Sequence, residues 1–159
     1  MSTAKSTPQD LLDEGFRPEQ FGSPATWAST YLGDLVAEAG RWVEAQLGAA
    51  VYGAVSSDTY AFDCCVKAEV QYASMVLWRR RAKFMDGAAQ VGLESTAYLD
   101  RREMLAHAED ARQNAIYWLG EAARALGVDP PAISAGGGIS VGYTETGRFP
   151  QTSTGPLNA

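Results

Sequence analysis

Histidine, cysteine and long apolar runs are scarce in this chain of 159 residues, and each scarcity excludes a class of protein. His107 is the only histidine, whereas a zinc or di-iron helical bundle needs several. Cys64 and Cys65 are the only cysteines, and as helix neighbours they would point about 100° apart. We therefore expect free thiols packed as small hydrophobes in a reducing compartment.

No run of about eighteen apolar residues occurs, and the N-terminal residues lack the continuous apolar stretch of a secretory signal. The sequence therefore predicts a cytosolic protein that does not enter a membrane. A formal charge of −6 argues against a surface that binds nucleic acid throughout, because phosphate contacts need concentrated Lys and Arg. An apolar fraction of 46% with 20% charged residues predicts one globular core.

Apolar residues recur at steps of three and four in three segments, which predicts three long amphipathic helices. The first spans residues 23–47 and begins at Ser23, a good N-terminal cap. The second spans about 59–85, and the third spans about 95–126 and is ended by Gly127. Short connections between them predict an antiparallel bundle.

Residues 48–58 break the helical pattern and predict a loop or a short strand-like connector around 51–55. The buried face of the third helix should comprise the apolar residues at helical spacing, which are Leu105, Ala108, Ala111, Ala115, Leu119, Ala122 and Leu126.

These patterns divide the chain into three regions: a leader over 1–22 that can form one short helix, a helical bundle over 23–128 and a C-terminal arm over 129–159. The arm contains three consecutive glycines at 136–138 and cannot build a core alone. Its alternating Ile139, Val141 and Tyr143 could add as a strand to a sheet edge. The predicted fold is thus an all-α bundle with an extended, partly β-capable arm.

No constellation in the sequence predicts catalysis, a cofactor or a metal. Cys64 and Cys65 lack a CxxC arrangement, and the glycine run lacks the lysine and preceding strand of a phosphate loop. The helical carboxylates are spaced without an evident pair, so we interpret them as solvated; they are Glu69, Glu103, Glu109 and Glu121.

The sharpest charge feature is the basic run of Arg79, Arg80, Arg81 and Lys83 near the predicted end of the second helix. These cations could complement the negative end of the helix dipole. They could also contact phosphate or face an acidic neighbouring subunit, although a continuous run on a helix cannot all face one partner.

With these elements placed, the chain resembles the small head-to-tail connector, or adaptor, proteins of tailed bacteriophages. The resemblance covers roughly residue 27 to the C-terminus. It is carried by the segments WASTYLGDLVAEAGRWVEAQLG, EVQYASMVLWRRRAKF, YLDRREMLAHAEDARQNAIYWL and GGGISVGYTETGRFP.

The resemblance implies a structural virion protein without catalysis, assembled in the host cytoplasm and located in the neck of the virion. Its partners would be the portal protein, neighbouring copies of itself in a dodecameric ring, and the next neck or tail component. Packaged DNA would pass through the channel without sequence-specific binding. The candidate contact residues for the portal or a neighbouring subunit are Ile139, Val141, Tyr143 and Phe149 in the arm, with Arg79, Arg80, Arg81 and Lys83 in the bundle.

A second hypothesis is a small helical DNA-associated or regulatory protein that uses the basic run for phosphate contacts.

Overall fold

The computed structural model describes residues 3–17, 30–88 and 94–132, with the side chains of residues 3–17, 30–83 and 101–132. Five α-helices and no strand occur within these ranges, so the all-α prediction is confirmed for them. The predicted cap Ser23 and the arm residues Ile139, Val141, Tyr143 and Phe149 lie outside the described residues.

The leader forms the short helix α1, Pro8–Asp13. The N–H and the hydroxyl of Thr7 donate to the Asp10 carboxylate at 2.6 and 2.8 Å, which fixes the start of this helix. Pro8 suits the first position because it has no N–H to satisfy there. Leu11 and Phe16 are buried, so α1 docks on the bundle as a short additional N-terminal helix.

The bundle consists of α2 (Leu32–Leu47), α3 (Ala49–Gly53), α4 (Tyr60–Ala88) and α5 (Glu94–Ala125). Lys67 and Trp78 of α4 contact Trp118 and His107 of α5, respectively, so these two long helices are antiparallel. Gly127, with a φ of 69°, terminates the last helix, as the sequence predicts.

The structure corrects two predictions about these elements. The connector after α2 is a single helical turn, α3, because Tyr52 on it is fully buried and fixes its position. The predicted buried Leu105 is 42% exposed, and its neighbour Met104 faces the core instead. The other predicted residues of that face are buried, with Leu126 partly so.

The core has two main parts that share α2 and α4. One joins the N-terminal segment, defined as residues 3–17, to α2 and α4 around Leu11, Leu35 and Leu77. The other joins α2, α3, α4 and α5, and it contains Cys64 and Cys65. Both thiols are free and fully buried, which confirms their interpretation as core residues.

Candidate interaction surface

The basic run lies further from a helix end than the sequence predicts. α4 continues to Ala88, and its last turn contains no basic residue. The influence of the helix dipole falls off within the last turn. Arg79, Arg80, Arg81 and Lys83 are therefore not accounted for by that effect, and their neighbours must be considered individually.

The four side chains of the run point in different directions. The guanidinium of Arg80 lies 4.1 Å from the ring centroid of Tyr31, and that of Arg81 lies 5.5 Å from that of Trp78. Both distances permit cation–π attraction. Arg79 and Lys83 are exposed and one helical turn apart, so they form an outward-facing pair that we call the basic edge.

A small aromatic pocket adjoins Arg79. Trp42 of α2 stacks on Tyr72 of α4 with ring centroids 4.8 Å apart, and the pocket has a volume of about 180 Å³. Arg112 also lines it, and its guanidinium donates three bonds to Glu109, at 2.6, 2.9 and 3.1 Å. These bonds hold the pKa of Glu109 below its usual range. Arg112 is thus paired within the chain, and Arg79 lies at the rim, where its charge also helps to lower the pKa of Glu109.

Further cations lie at the same end of the α4–α5 pair. The antiparallel register places Arg102 of α5 at about the level of Lys83, and Arg101 precedes it; both are exposed. These two residues add cations near the basic edge in a chain whose formal charge is −6.

A second concave surface lies between α1, α4 and α5, and we call it the acidic groove. Asp10, Asp13 and Glu14 of the N-terminal segment line one side of a cavity of about 390 Å³. Lys67 lies 4.2 Å above the ring of Trp118 on the other side. The remaining lining residues are Val66, Val70 and Gln71.

Glu69 contradicts its interpretation as a solvated carboxylate, because it is fully buried. Its Oε1 accepts a bond of 2.5 Å from the hydroxyl of Tyr52. Its Oε2 accepts bonds of 2.7 Å from both the N–H and the hydroxyl of Ser6, and one of 3.0 Å from the N–H of Lys5. Both oxygens are occupied, so Glu69 fastens the N-terminal segment to α4 and α3.

The remaining described residues that could bind a metal lie singly or in pairs. No group of three or more His, Cys, Asp or Glu side chains is placed to hold a metal in this part of the chain. His107 is about half-exposed, 3.8 Å from Glu103, as expected of an ordinary surface residue. No helix over the described ranges is long and apolar enough to span a membrane.

Two buried groups, the thiol of Cys65 and the phenol of Tyr52, should make the free energy of unfolding depend on pH in the alkaline range. Burial raises the pKa of the Cys65 thiol from near 9 to about 12. Burial and the bond to Glu69 raise the pKa of the Tyr52 phenol well above its ordinary value near 10. Above pH 9 the unfolded chain therefore binds fewer protons than the folded chain, and the free energy of unfolding falls as pH rises.

We expect a loss of up to about 1.4 kcal/mol per pH unit from Cys65 between about pH 9 and 12, and a further loss from Tyr52 above about pH 10. Urea denaturation at about pH 8, 9.5 and 11 measures it. Cys65→Ala should have a shallower slope, because it removes one of the two groups. Equal slopes in both proteins would contradict the assignment to Cys65.

Comparisons with protein-family models, with curated proteins and with solved structures found no significant match to this chain.

Proposed function

We propose that the chain is a structural protein of a tailed bacteriophage, a head-to-tail adaptor that forms a ring beneath the portal. In this function the ring extends the DNA channel and offers an attachment surface to the next neck or tail component. The bundle provides contacts between neighbouring copies, and the arm that contains Ile139, Val141, Tyr143 and Phe149 reaches the portal or a neighbour.

The observation that carries this proposal is the outward-facing basic edge beside the aromatic pocket. Arg79 and Lys83 are exposed, and the dipole of α4 does not account for them. Exposed cations next to stacked aromatic side chains are typical of protein contact surfaces, in which Arg, Trp and Tyr are enriched. The all-α bundle and the resemblance of the segments in α2, α4 and α5 support the same function.

The test is co-sedimentation with the portal encoded in the same genome. We expect the full chain to bind and a chain truncated after Asp129 to lose most of that binding. The described bundle is complete before this point, and circular dichroism of the truncated chain checks that it remains folded. Absence of binding by the folded full chain would contradict the adaptor function.

A DNA-associated protein is the alternative, and the cations Arg101 and Arg102 near Lys83 favour it. That function requires salt-dependent binding of duplex DNA by the isolated chain, with a slope set by the number of phosphates contacted. The paired substitutions Arg79→Glu and Lys83→Glu should then abolish binding. If the chain is an adaptor, it should instead show no measurable affinity for free duplex DNA at physiological salt.

A further inference from the structure

We infer that the acidic groove of one copy receives the basic edge of the next copy, so that identical chains associate head to tail. This inference rests on the proposed ring assembly, and it names the two surfaces that meet. The occupant of the groove is a second copy of this chain.

The two surfaces lie on different sides of α4. Successive residues of a helix are rotated by about 100°, so the α4 residues of the aromatic pocket point about 140° away from those of the acidic groove. Arg79 belongs to the pocket side, and Lys83 follows it by one turn. One copy can therefore present the basic edge and the groove to two different neighbours.

Lys67 offsets one of the three carboxylates of the acidic groove, and the basic edge is too far away to neutralise the other two within one chain. The groove contacts α4 at residues 66–71, and the basic edge lies at 79–83, roughly 20 Å further along the helix. At moderate ionic strength that distance exceeds the Debye length of about 8 to 10 Å. A contact between two copies brings the opposite charges together.

The chemistry of the groove fits a cationic side chain with an aliphatic stem. Asp13 and Glu14 provide carboxylates beside that of Asp10, which also accepts bonds from Thr7, and Val66 and Val70 provide apolar surface in the same cavity. Lys and Arg bury their stems on such surfaces while the charged group meets an anion. Duplex DNA would meet three carboxylates here, so a phosphate backbone does not fit.

A contact between two different surfaces of the same chain is heterologous. Repetition of such a contact closes into a ring when the rotation between copies permits it, and otherwise forms a filament. The arrangement is the one that an adaptor ring requires. Opposite charges would also orient the copies as they approach, which raises the association rate at low salt.

Charge reversal on each surface tests the inference. One variant carries Arg79→Glu and Lys83→Glu, and the other carries Asp13→Lys and Glu14→Lys. We expect the natural chain to self-associate with rising concentration at about 20 mM salt and to dissociate at about 500 mM. Each variant alone should associate at least about tenfold more weakly, because its two contact surfaces now carry the same charge sign. Sedimentation equilibrium without any portal measures this.

The two variants mixed in equal amounts should associate again, because one has two acidic surfaces and the other has two basic surfaces. A matched control carries Arg41→Glu and Arg124→Glu, which change the net charge equally at exposed positions outside both surfaces. The control should associate like the natural chain.

The inference is overturned if the natural chain shows no association at low salt, or if the mixture fails to associate. Binding of duplex DNA at the basic edge without self-association would also overturn it. Portal binding is read separately: a variant that loses self-association but still co-sediments with the portal supports the inference and leaves the adaptor function standing. Self-association without portal binding would contradict the proposed function alone.

Discussion

Replacement of Glu69 by alanine is expected to lower the free energy of unfolding by about 3 to 5 kcal/mol. The substitution removes the acceptor for the hydroxyls of Tyr52 and Ser6 and for two backbone N–H groups. Each buried donor left without a partner costs about 1 to 3 kcal/mol, and part of that cost is relieved if the N-terminal segment detaches. Urea denaturation followed by tryptophan fluorescence measures the change.

Detachment of the N-terminal segment gives a second readout of the same substitution. In the natural chain the N–H groups of Lys5 and Ser6 are held by the buried carboxylate. In Glu69→Ala we expect trypsin to cleave after Lys5 well before it cleaves the bundle, because local opening limits such cleavage. Tyr52→Phe removes one bond only and should lose about 1 kcal/mol, with the segment still attached.

Glu103→Ala is the matched control, because Glu103 is also a helical glutamate but its side chain is 72% exposed. Its substitution should change the free energy of unfolding by no more than about 0.5 kcal/mol. A loss below about 1 kcal/mol for Glu69→Ala, with unchanged proteolysis, would contradict the role of Glu69 in fastening the segment.

The long helices could be predicted from the sequence because their apolar residues recur at helical spacing over many turns. The predicted buried face of α5 is wrong only at its first residue, where Met104 is buried and Leu105 is exposed; neighbouring helix residues point about 100° apart. The single turn of α3 is too short to display a period. α4 continues through Gly87, because one glycine near a helix end costs only about 1 kcal/mol.

The site was predictable in part. The basic run is contiguous, so the sequence displays it directly. The acidic groove exists only because α1 docks against α4, and no local pattern specifies that contact. The burial of Glu69 likewise depends on Lys5 and Ser6, more than sixty residues earlier in the chain. One local signal was available: Cys65 and Ala73, one turn on either side of Glu69, are both apolar.

The second large effect concerns Gly40 in α2. A Cβ built on this residue would lie 2.7 Å from the Cβ of Ala4 and 2.9 Å from its Cα. Gly40→Ala would gain about 1 kcal/mol of helix propensity. We nevertheless expect a net loss of about 1 to 2 kcal/mol, because the backbone of Ala4 must move while the next two N–H groups remain bonded to Glu69.

Gly120→Ala is the matched control, since Gly120 also lies inside a long helix but an added Cβ would meet nothing within 4 Å. It should raise the free energy of unfolding by about 0.5 to 1 kcal/mol. If Gly40→Ala lowers the free energy of unfolding and Gly120→Ala raises it, the need for glycine at position 40 comes from its contact with the N-terminal segment.

Deletion of residues 1–7 from both Gly40→Ala and the parent chain tests this explanation further. In that background the alanine should stabilise, because only its helix propensity remains. If it still destabilises the shortened chain, the contact with Ala4 is not the cause.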